Sequence, residues 1–352
     1  MKSAILKNGK IKIVEMEKPI LTEKGAIIKV LTCGLCGSDI VKIKDAAKNP
    51  DSKVILGHEV VGKIVEINTE IIGNSYYNDN AMPFKAGDIV CLGHHYPCNS
   101  CDMCKNGNHS MCKTFKAVNI SPAGFSEYIY VSEGHLKNTV FKVPKELDIE
   151  NVTFVEPFAC CIRAIRRAGY DFCGKNDMTK NEKNEFVKCT ENPRHKALVI
   201  GLGSIGLLMS LGLKAFNIEA FGYDINPKRQ DLAAKYGVKF DQNLRYDTIF
   251  MTSGSHRAID TALEYIKDGG KIVVFSSVQG DFGYRNNDIY YKELTILGSY
   301  SPAPVDLALS FELIKQGWID LTGVSTNYAL DNLAEAVNDT MLNKIFKACI
   351  KV

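Results

Sequence analysis

The sequence predicts an α/β protein in which a doubly wound parallel sheet is joined to a β-rich part. Short apolar runs separated by turns fill residues 1–31 and recur up to about residue 143, as in antiparallel sheets. After Asp224, helical and strand-like segments alternate, which is typical of a parallel sheet with helices on both faces. The predicted elements include a strand at residues 271–276 and, near the end of the chain, a helix at residues 331–342. A chain of 352 residues exceeds one ordinary hydrophobic core, so we expect two domains.

The composition indicates a globular protein and excludes several classes of partner. Hydrophobic residues make up 45% of the chain, and the net charge of +3 comes from dispersed basic residues, so no nucleic-acid partner is expected. No run of about 18 apolar residues occurs, so no membrane partner is expected. The first ten residues lack the apolar core of a signal peptide, and we therefore expect a cytoplasmic location. Twelve cysteines in such a chain favour metal ligands or reduced thiols over disulfides.

Three residues in the first part of the chain have the side chains of a metal site. Cys36 lies in C-G-L-C-G-S-D (33–39), and His58 and Glu59 lie in L-G-H-E-V-V-G (56–62). A thiolate, an imidazole and a carboxylate are ligand types of a catalytic zinc site that keeps one position open. A lone cysteine or histidine is more often structural. The combination with a dinucleotide-binding fold, described below, favours zinc ligation.

Four cysteines crowd into one loop and form the strongest single signal in the sequence. They are Cys98, Cys101, Cys104 and Cys112. Four thiolates complete the tetrahedral coordination of Zn²⁺, so the loop is predicted to hold a structural zinc and not a reactive one. A redox or iron–sulfur role is the less favoured alternative. The neighbouring His94, His95 and His109 are conceivable substitute ligands, but four cysteines suffice.

A carboxylate stands at the start of a predicted helix that runs from Val155 to about Ala168, with Pro157 in its first turn. This residue, Glu156, has two interpretations. Its carboxylate either complements the positive end of the helix dipole, or it reaches the catalytic zinc as a ligand or exchangeable ligand.

Two polar segments interrupt the apolar patterns. Residues 71–82 are predicted to form a loop between two strands. Residues 171–195 are rich in Lys, Asn and Glu and lie where a short connection would suffice. We interpret this second segment as a solvated surface insertion.

A predicted buried strand, residues 197–200, enters a glycine-rich turn that organises the second part of the chain. The turn has the pattern G-x-G-x-x-G, and a helix is predicted to start after it at residue 207. The predicted cofactor-binding residues of the turn are Gly201, Gly203, Ser204, Ile205 and Gly206. Gly201 permits the tight turn, Gly203 lets the backbone approach a pyrophosphate, and Gly206 lets the following helix pack closely. Because a helix amino terminus favours negative charge, the turn predicts a dinucleotide site.

The next predicted strand, residues 220–223, ends on a carboxylate. Asp224 follows the turn by about 20 residues, where an acidic side chain accepts the ribose hydroxyls of NAD. It would repel the additional phosphate of NADP, although Lys228 and Arg229 stand close enough to bind one. We predict NAD as the cofactor, with Arg229 in its site. The alternative for Asp224 is a helix N-cap before Pro227.

Taken together, these motifs resemble the zinc-dependent medium-chain dehydrogenase/reductase family, the alcohol dehydrogenase group, over nearly the whole chain. C-G-S-D, G-H-E-x-x-G, the four-cysteine loop, G-F-S-E-Y, E-P-x-A-C and G-x-G-x-x-G all occur in the family's order. Within the family, residues 156–160 and 292–300 look most like the sorbitol or L-iditol 2-dehydrogenase branch.

The resemblance implies a fold with two domains. Residues 1–159 and 301–352 would form a β-rich, GroES-like catalytic domain that binds zinc, and residues 160–300 would form an NAD-binding Rossmann domain. The active site would lie in the cleft between them. The resemblance also implies a small-molecule alcohol substrate and a homodimer or homotetramer.

The resemblance assigns roles to individual residues. Cys36 and His58 match the ligands of the catalytic zinc, and Glu59 matches a ligand or near-ligand of the polyol branch. Glu156 matches a glutamate that contacts the zinc directly or through water, and Ser38 matches the hydroxyl that relays the alcohol proton. The ligands of the structural zinc match Cys98, Cys101, Cys104 and Cys112.

Two positions depart from the family pattern. Many relatives place a histidine five residues after the cysteine of C-G-S-D to pass the proton to solvent, and here that position is Val41. Proton exit would then run through Glu59, Glu156, water or Lys42. Sorbitol dehydrogenases carry an arginine where this chain has Ser299, which argues against sorbitol itself.

The predicted function is zinc-dependent oxidation of a secondary alcohol to a ketone with hydride transfer to NAD. Zinc would act as a Lewis acid on the substrate hydroxyl, and Ser38 would relay the released proton. The substrate would be a polyol, a cyclitol or an amino-cyclitol. The alternatives are a threonine-type or sugar-phosphate dehydrogenase on the same scaffold, and a non-catalytic protein that binds zinc and a nucleotide.

Overall fold

The computed structural model describes residues 1–7, 9–46, 54–73, 83–172, 178–180, 186–188, 195–277 and 283–352. The chain divides into two compact units. The first unit consists of Met1–Pro157, Pro302–Gly317 and Leu321–Val352, and the second consists of Phe158–Ser301 and Trp318–Asp320. The domain boundaries predicted at residues 159/160 and 300/301 stay a prediction about where independently folding parts begin.

The secondary structure of the described residues is mixed. In chain order, the strands are β1 (Lys2–Lys7), β2 (Lys10–Glu15), β3 (Gly25–Gly34), β4 (Val54–Ile55), β5 (Glu59–Ile67), β6 (Ile89–Leu92), β7 (Tyr128–Ser132), β8 (Val140–Lys142), β9 (Met178–Lys180), β10 (Phe186–Lys188), β11 (Lys196–Ile200), β12 (Glu219–Tyr223), β13 (Tyr246–Met251), β14 (Ile266–Val274), β15 (Thr295–Gly298), β16 (Ser325–Ala329) and β17 (Lys347–Lys351). The helices are α1 (Gly37–Ala46), α2 (Asp102–Lys105), α3 (Lys113–Ala117), α4 (Glu133–Asn138), α5 (Ile149–Val152), α6 (Val155–Arg167), α7 (Ser204–Ala215), α8 (Pro227–Ala234), α9 (His256–Tyr265), α10 (Asn286–Tyr291), α11 (Pro304–Lys315) and α12 (Leu333–Met341).

A seven-stranded sheet dominates the first unit. Its order is β16-β17-β3-β5-β6-β8, and β7 also pairs with β3. The register sets Gly34 of β3 opposite Glu59 of β5 and opposite Cys349 of β17. Its strands are rich in Val and Ile, which fit a pleated surface, and their inward side chains form a core that includes Ile28 and Ile64. Strand β3 therefore joins the early, middle and final parts of the unit.

A five-stranded parallel sheet forms the centre of the second unit, as predicted. Its order is β12-β11-β13-β14-β15. Strand β11 is buried at every residue except its first, as expected for a parallel strand covered on both faces. Because β12 and β13 lie on opposite sides of β11, the strand order reverses there. Sheets of this kind bind ligands at the carboxyl ends of the strands at such a reversal, and the glycine-rich turn directly follows β11.

The structure corrects the predicted start of the helix after that turn. The predicted start at residue 207 is wrong, because α7 begins at Ser204. Gly203 is extended and caps the helix, and its carbonyl oxygen accepts a hydrogen bond from the Leu207 N–H group at 3.0 Å. Ser204 and Ile205 therefore belong to the first helical turn, where backbone N–H groups have no intrahelical acceptor.

Two further boundaries differ from the sequence reading. Strand β14 was expected at residues 271–276, but it begins at Ile266, which pairs with Tyr246 of β13 ahead of a register shift. The helix expected at residues 331–342 is divided into a 3₁₀ turn, Leu330–Asn332, and α12. A tighter 3₁₀ turn is a common way for a helix to begin.

The two polar segments are described only in part. Most of the loop predicted at residues 71–82 lies outside the described residues. Within the insertion at 171–195, β9 and β10 form an antiparallel pair, which the sequence reading did not anticipate. No helix of the described ranges has the length and apolar composition needed to cross a membrane.

Candidate metal centres and cofactor site

Three side chains with metal-ligand chemistry meet at one end of the large sheet. The ligand atoms of Cys36, His58 and Glu59 all lie within 4.8 Å of one another. Cys36 lies between β3 and α1, and His58 directly precedes β5. The segments converge because β3 and β5 are antiparallel neighbours. The group fits zinc, because a thiolate, an imidazole and a carboxylate are donors that Zn²⁺ accepts.

A buried carboxylate, Asp39, orients this group from α1. Its Oδ2 accepts a hydrogen bond from the Cys36 N–H group, and its Oδ1 accepts one from the Gly57 N–H group, both at 3.2 Å. The same Oδ1 lies 3.6 Å from His58 Nδ1. Burial alone would raise the pKa of Asp39, but His58, Lys42 and the Gly57 N–H group lower it overall. Asp39 thus has the position of the carboxylate that usually supports a metal-binding histidine.

Glu156 lies beside the three-residue group and is not a member of it. It occupies the first turn of α6 and is 5% exposed. Its Oε1 lies 3.7 Å from Nδ1 of His94, whose ring centroid is 4.6 Å from that of His58. Burial is the largest cause that raises the pKa of Glu156, to about 7. Burial and the neighbouring His58 hold the pKa of His94 well below its ordinary value.

The remaining predicted residue of this region, Ser38, is exposed in the first turn of α1. Its role as a proton relay stays a prediction. Within the described ranges, three residues that the sequence did not predict for this site contact predicted site residues: Asp39, His94 and Lys347. Asp39 was visible within the C-G-S-D motif, and His94 was considered only for the cysteine loop. Lys347 contacts Glu59 from β17, and nothing in its local sequence signals this.

The four-cysteine loop has the geometry of a closed metal site. Its four sulfur atoms lie within 4.8 Å of one another. The Sγ atoms of Cys101 and Cys104 are 3.6 Å apart, and those of Cys98 and Cys104 are 4.0 Å apart. Zn–S bonds of about 2.3 Å in a tetrahedron give S–S edges of about 3.8 Å. The loop therefore fits a zinc ion bound by four thiolates.

Hydrogen bonds to a sulfur atom of this loop stabilise the thiolate form of Cys98. The Ser100 hydroxyl donates to Cys98 Sγ at 3.5 Å, and the Cys101 N–H group donates to the same sulfur at 3.4 Å. Donation by the Ser100 side chain is the largest cause that lowers the pKa of Cys98, to about 5. Burial raises the pKa of Cys104 to about 12, so a bound cation would have to displace that proton.

The glycine-rich turn leaves its outer side open and its inner side tightly packed. Gly201 has φ +98°, a conformation that favours glycine. A Cβ atom on Gly206 would overlap the carbonyl oxygen of Gly201, so only glycine lets α7 lie this close. By contrast, a Cβ on Gly203 would have no neighbour nearer than 3.8 Å, an atom of Arg229. Backbone and helix terminus are thus accessible to a phosphate group.

Asp224 is fixed at the carboxyl end of β12 next to this turn. Its Oδ2 accepts a hydrogen bond from the Leu202 N–H group at 2.7 Å and lies 3.4 Å from Nη1 of Arg229. Its Oδ1 accepts one from the Asn226 N–H group at 2.8 Å. The N-cap of α8 is Asn226, whose side chain accepts from the Lys228 N–H group. The alternative of Asp224 as the N-cap is therefore wrong.

Comparisons with known proteins agree with this arrangement. The alcohol dehydrogenase GroES-like domain family matches residues 22–145, and the zinc-binding dehydrogenase family matches residues 204–316. L-galactonate-5-dehydrogenase of Escherichia coli (strain K12) is 25% identical over 94% of this chain and 92% of its own length. Sorbitol dehydrogenase of Bacillus subtilis (strain 168) is 25% identical over 100% and 96%, respectively. The crystal structure of 2R,3R-butanediol dehydrogenase from Bacillus subtilis gives a TM-score of 0.79 at 25% identity, covering 100% of this chain and 99% of that one.

The two metal-ligand groups and the turn at the strand-order reversal define a zinc-containing dehydrogenase. The chain belongs to the zinc-dependent medium-chain dehydrogenase/reductase family, the alcohol dehydrogenase group. The predicted family, the fold class of a GroES-like part with a Rossmann part, and the class of enzyme are thereby confirmed. The roles of individual residues stay predictions.

Proposed function

We propose that this protein oxidises a secondary alcohol of the polyol, cyclitol or amino-cyclitol class to a ketone, with zinc in the active site and NAD as hydride acceptor. The observation that carries the proposal is the convergence of Cys36, His58 and Glu59, with ligand atoms within 4.8 Å of one another. Three protein ligands leave one zinc position for substrate, which distinguishes a catalytic site from a closed structural one.

In this proposal each residue of the site has a separate role. Cys36, His58 and Glu59 hold the zinc ion, which when bound supplies a Lewis acid that lowers the pKa of the substrate hydroxyl. Asp39 occupies the Nδ1 side of the His58 ring, so that Nε2 is the nitrogen that serves as ligand. Ser38 relays the hydroxyl proton. Glu156, buried beside His94, acts as an exchangeable ligand that leaves the fourth position when the substrate binds.

NAD is the cofactor of this proposal, and it accepts the hydride when bound. Gly203, Ser204 and Ile205 present the open side of the turn to its pyrophosphate. Asp224 is held by two backbone N–H groups in an orientation suited to ribose hydroxyls. Arg229 is turned toward Asp224 at 3.4 Å, which leaves less of its charge available for the additional phosphate of NADP.

Two observations support the substrate class. The relatives named above act, by their names, on sorbitol, on a galactonate and on a butanediol, all of which carry hydroxyl groups on neighbouring carbons. Ser299 supplies a short hydroxyl side chain that is 9% exposed, where the sorbitol branch resembled here has an arginine. We therefore favour a polyol or cyclitol other than sorbitol.

The proposal also includes assembly into a homodimer or homotetramer and a location in the cytoplasm. Light scattering of the purified protein tests the oligomeric state.

The test is NADH formation by zinc-replete protein with a panel of substrates. The panel contains polyols, inositols, amino-cyclitols, sugar phosphates and L-threonine, each with NAD and with NADP. We expect turnover of one polyol or cyclitol with NAD. Strong activity with L-threonine, or with a phosphorylated polyol only, would replace the proposed substrate class by the corresponding alternative.

A pair of variants links the activity to the proposed ligands. Cys36→Ala should abolish turnover and lower the zinc content from two ions per chain to one. Cys91→Ala is the matched control, because Cys91 is a buried cysteine of β6 outside both metal-ligand groups. Unchanged turnover in Cys36→Ala would refute the catalytic assignment. If the wild type with both zinc sites filled turned over no substrate of the panel, the non-catalytic alternative would be favoured.

A further inference from the structure

A buried ion pair joins one of the proposed zinc ligands, Glu59, to a lysine that has no part in the mechanism above. Nζ of Lys347, on β17, contacts Oε2 of Glu59, the first residue of β5. The two side chains are 1% and 0% exposed. The ring of Phe154 lies near the same ammonium group, with its centroid 5.9 Å from Nζ. Lys347 is thus a fully buried cation held against a carboxylate.

The fold makes room for this pair at one position of β3. Gly34 is paired with Glu59 on one side and with Cys349 on the other. A Cβ atom on Gly34 would overlap Oε2 of Glu59 and would lie 3.0 Å from Cε of Lys347. The absence of a side chain at Gly34 therefore lets two charged groups from flanking strands meet across β3.

Stability alone does not account for such a pair. Lysine is almost never fully buried unless it is paired, and the cost of removing two charges from water often exceeds their attraction. Apolar side chains of similar volume would often stabilise the sheet equally well. Glu59, however, is also one of the three residues whose ligand atoms converge with Cys36 and His58. The pair thus connects Lys347 to the proposed metal site through a single carboxylate.

We propose that Lys347 is a positioning residue that acts through Glu59: its ammonium group holds one carboxylate oxygen, limits Glu59 to weak donation by the other, and keeps the zinc site more positive. This inference rests on the proposed zinc site. The ammonium group offsets part of the negative charge of the Glu59 carboxylate, so that Glu59 attracts Zn²⁺ less strongly. With less carboxylate charge on the metal, its effect as a Lewis acid on a substrate hydroxyl is stronger.

The proposal predicts opposite effects on metal affinity and on catalysis. In Lys347→Met, Glu59 is released to bind the metal with its full charge. Zinc at the Cys36 site should then be removed more slowly and at higher chelator concentration than in the wild type. At the same time, kcat/KM should fall by about 10- to 100-fold, as for other partners of metal ligands. If Lys347 had a merely structural role, its replacement would lower both the metal affinity of the Cys36 site and kcat/KM.

A spectroscopic readout that does not depend on activity uses cobalt. The full-length protein is prepared with Zn²⁺ in the four-cysteine loop and Co²⁺ exchanged at the Cys36 site. The absorption bands of Co²⁺ report the number and strength of its ligands. They should change in Lys347→Met and return toward the wild-type spectrum in Lys347→Arg, which keeps the charge. Lys351→Met is the matched control, because Lys351 lies on the same strand in a more exposed ion pair with Glu150.

A double variant keeps the test informative even if Lys347→Met is too unstable to purify. Replacing both partners removes the unpaired buried charge, so Lys347→Met/Glu59→Gln is compared with Glu59→Gln alone. If Lys347 acts through Glu59, these two proteins share one cobalt spectrum and one chelator sensitivity. A cobalt spectrum that differs between them, or one that is the same in Lys347→Met and wild type, would overturn the inference. Binding of only one zinc ion by the wild type would instead refute the proposed function itself.

Discussion

Acidification should destabilise the segment around His135, because this buried ring is held in its neutral form. His135 lies in α4 and is 1% exposed. Its Nδ1 accepts a hydrogen bond from the Ser132 N–H group at 3.3 Å, and its Nε2 donates one to the His94 carbonyl oxygen at 3.0 Å. Because an N–H group can only donate, this bond requires an unprotonated Nδ1, and the Ser132 hydroxyl lies 2.9 Å from the same nitrogen. Protonation of Nδ1 would break the hydrogen bond from the Ser132 N–H group.

The expected size of this effect follows from the pKa of His135. Burial, the largest cause, lowers that pKa from its ordinary value of 6.5 to about 4. The folded-state pKa is depressed, so the neutral ring stabilises the fold fully above pH 6.5, and this stability is lost as the pH falls toward 4. A difference of 2.5 pKa units corresponds to about 3 kcal/mol, since each unit is worth about 1.4 kcal/mol.

The assay compares wild type with His135→Gln, whose side chain does not titrate. Amide hydrogen exchange of α4 and β8 gives the local free energy of opening between pH 7 and 4.5. The difference between the two proteins should shrink by about 2 kcal/mol over this range. The comparison cancels the acid sensitivity of zinc–thiolate binding, which both proteins share. A difference that stays constant with pH would refute the assignment of a neutral, buried His135.

Two further predictions concern the cofactor turn and the cysteine loop. Gly206→Ala should weaken NAD binding about tenfold or more by calorimetry, because the new Cβ would overlap the Gly201 carbonyl oxygen and overpacking costs about 1–3 kcal/mol; Gly298→Ala, with no atom within 4 Å of the added Cβ, is the control. Equal NAD affinity in both variants would contradict the close packing. Cys104→Ser should lower the zinc content by one ion per chain and expose residues 98–118 to proteolysis, whereas an unchanged zinc content would rule out four-thiolate binding.

The local motifs of this chain could be predicted from the sequence, because the residues that form each motif lie in one short stretch. The spacing of Cys98 to Cys112 predicted a closed metal site, and the four sulfur atoms do converge. The glycine spacing from Gly201 to Gly206 predicted a turn at which a helix packs against a strand. In both cases a few neighbouring residues determine the backbone path, so little tertiary information is needed.

The boundaries of helices and strands were harder to predict from the sequence, because they depend on contacts with residues outside each element. Helix α7 begins at Ser204 since Gly203 is extended and its carbonyl oxygen accepts the first helical hydrogen bond. Strand β14 begins at Ile266 since Tyr246 of the neighbouring strand pairs with it. The apolar pattern of each segment is compatible with several starting points, and the neighbouring backbone selects one of them.

The sequence by itself determined the family, the alternation that builds a parallel sheet, and the residue types able to bind zinc and a dinucleotide. Only the tertiary structure decided which other side chains surround them. Asp39 supports His58, His94 meets Glu156, and Lys347 reaches Glu59 from the final strand. The contact between Lys347 and Glu59 depends on the register of β17, β3 and β5 and on the space left at Gly34, because strand pairing joins residues whose separation along the chain carries no periodic signal.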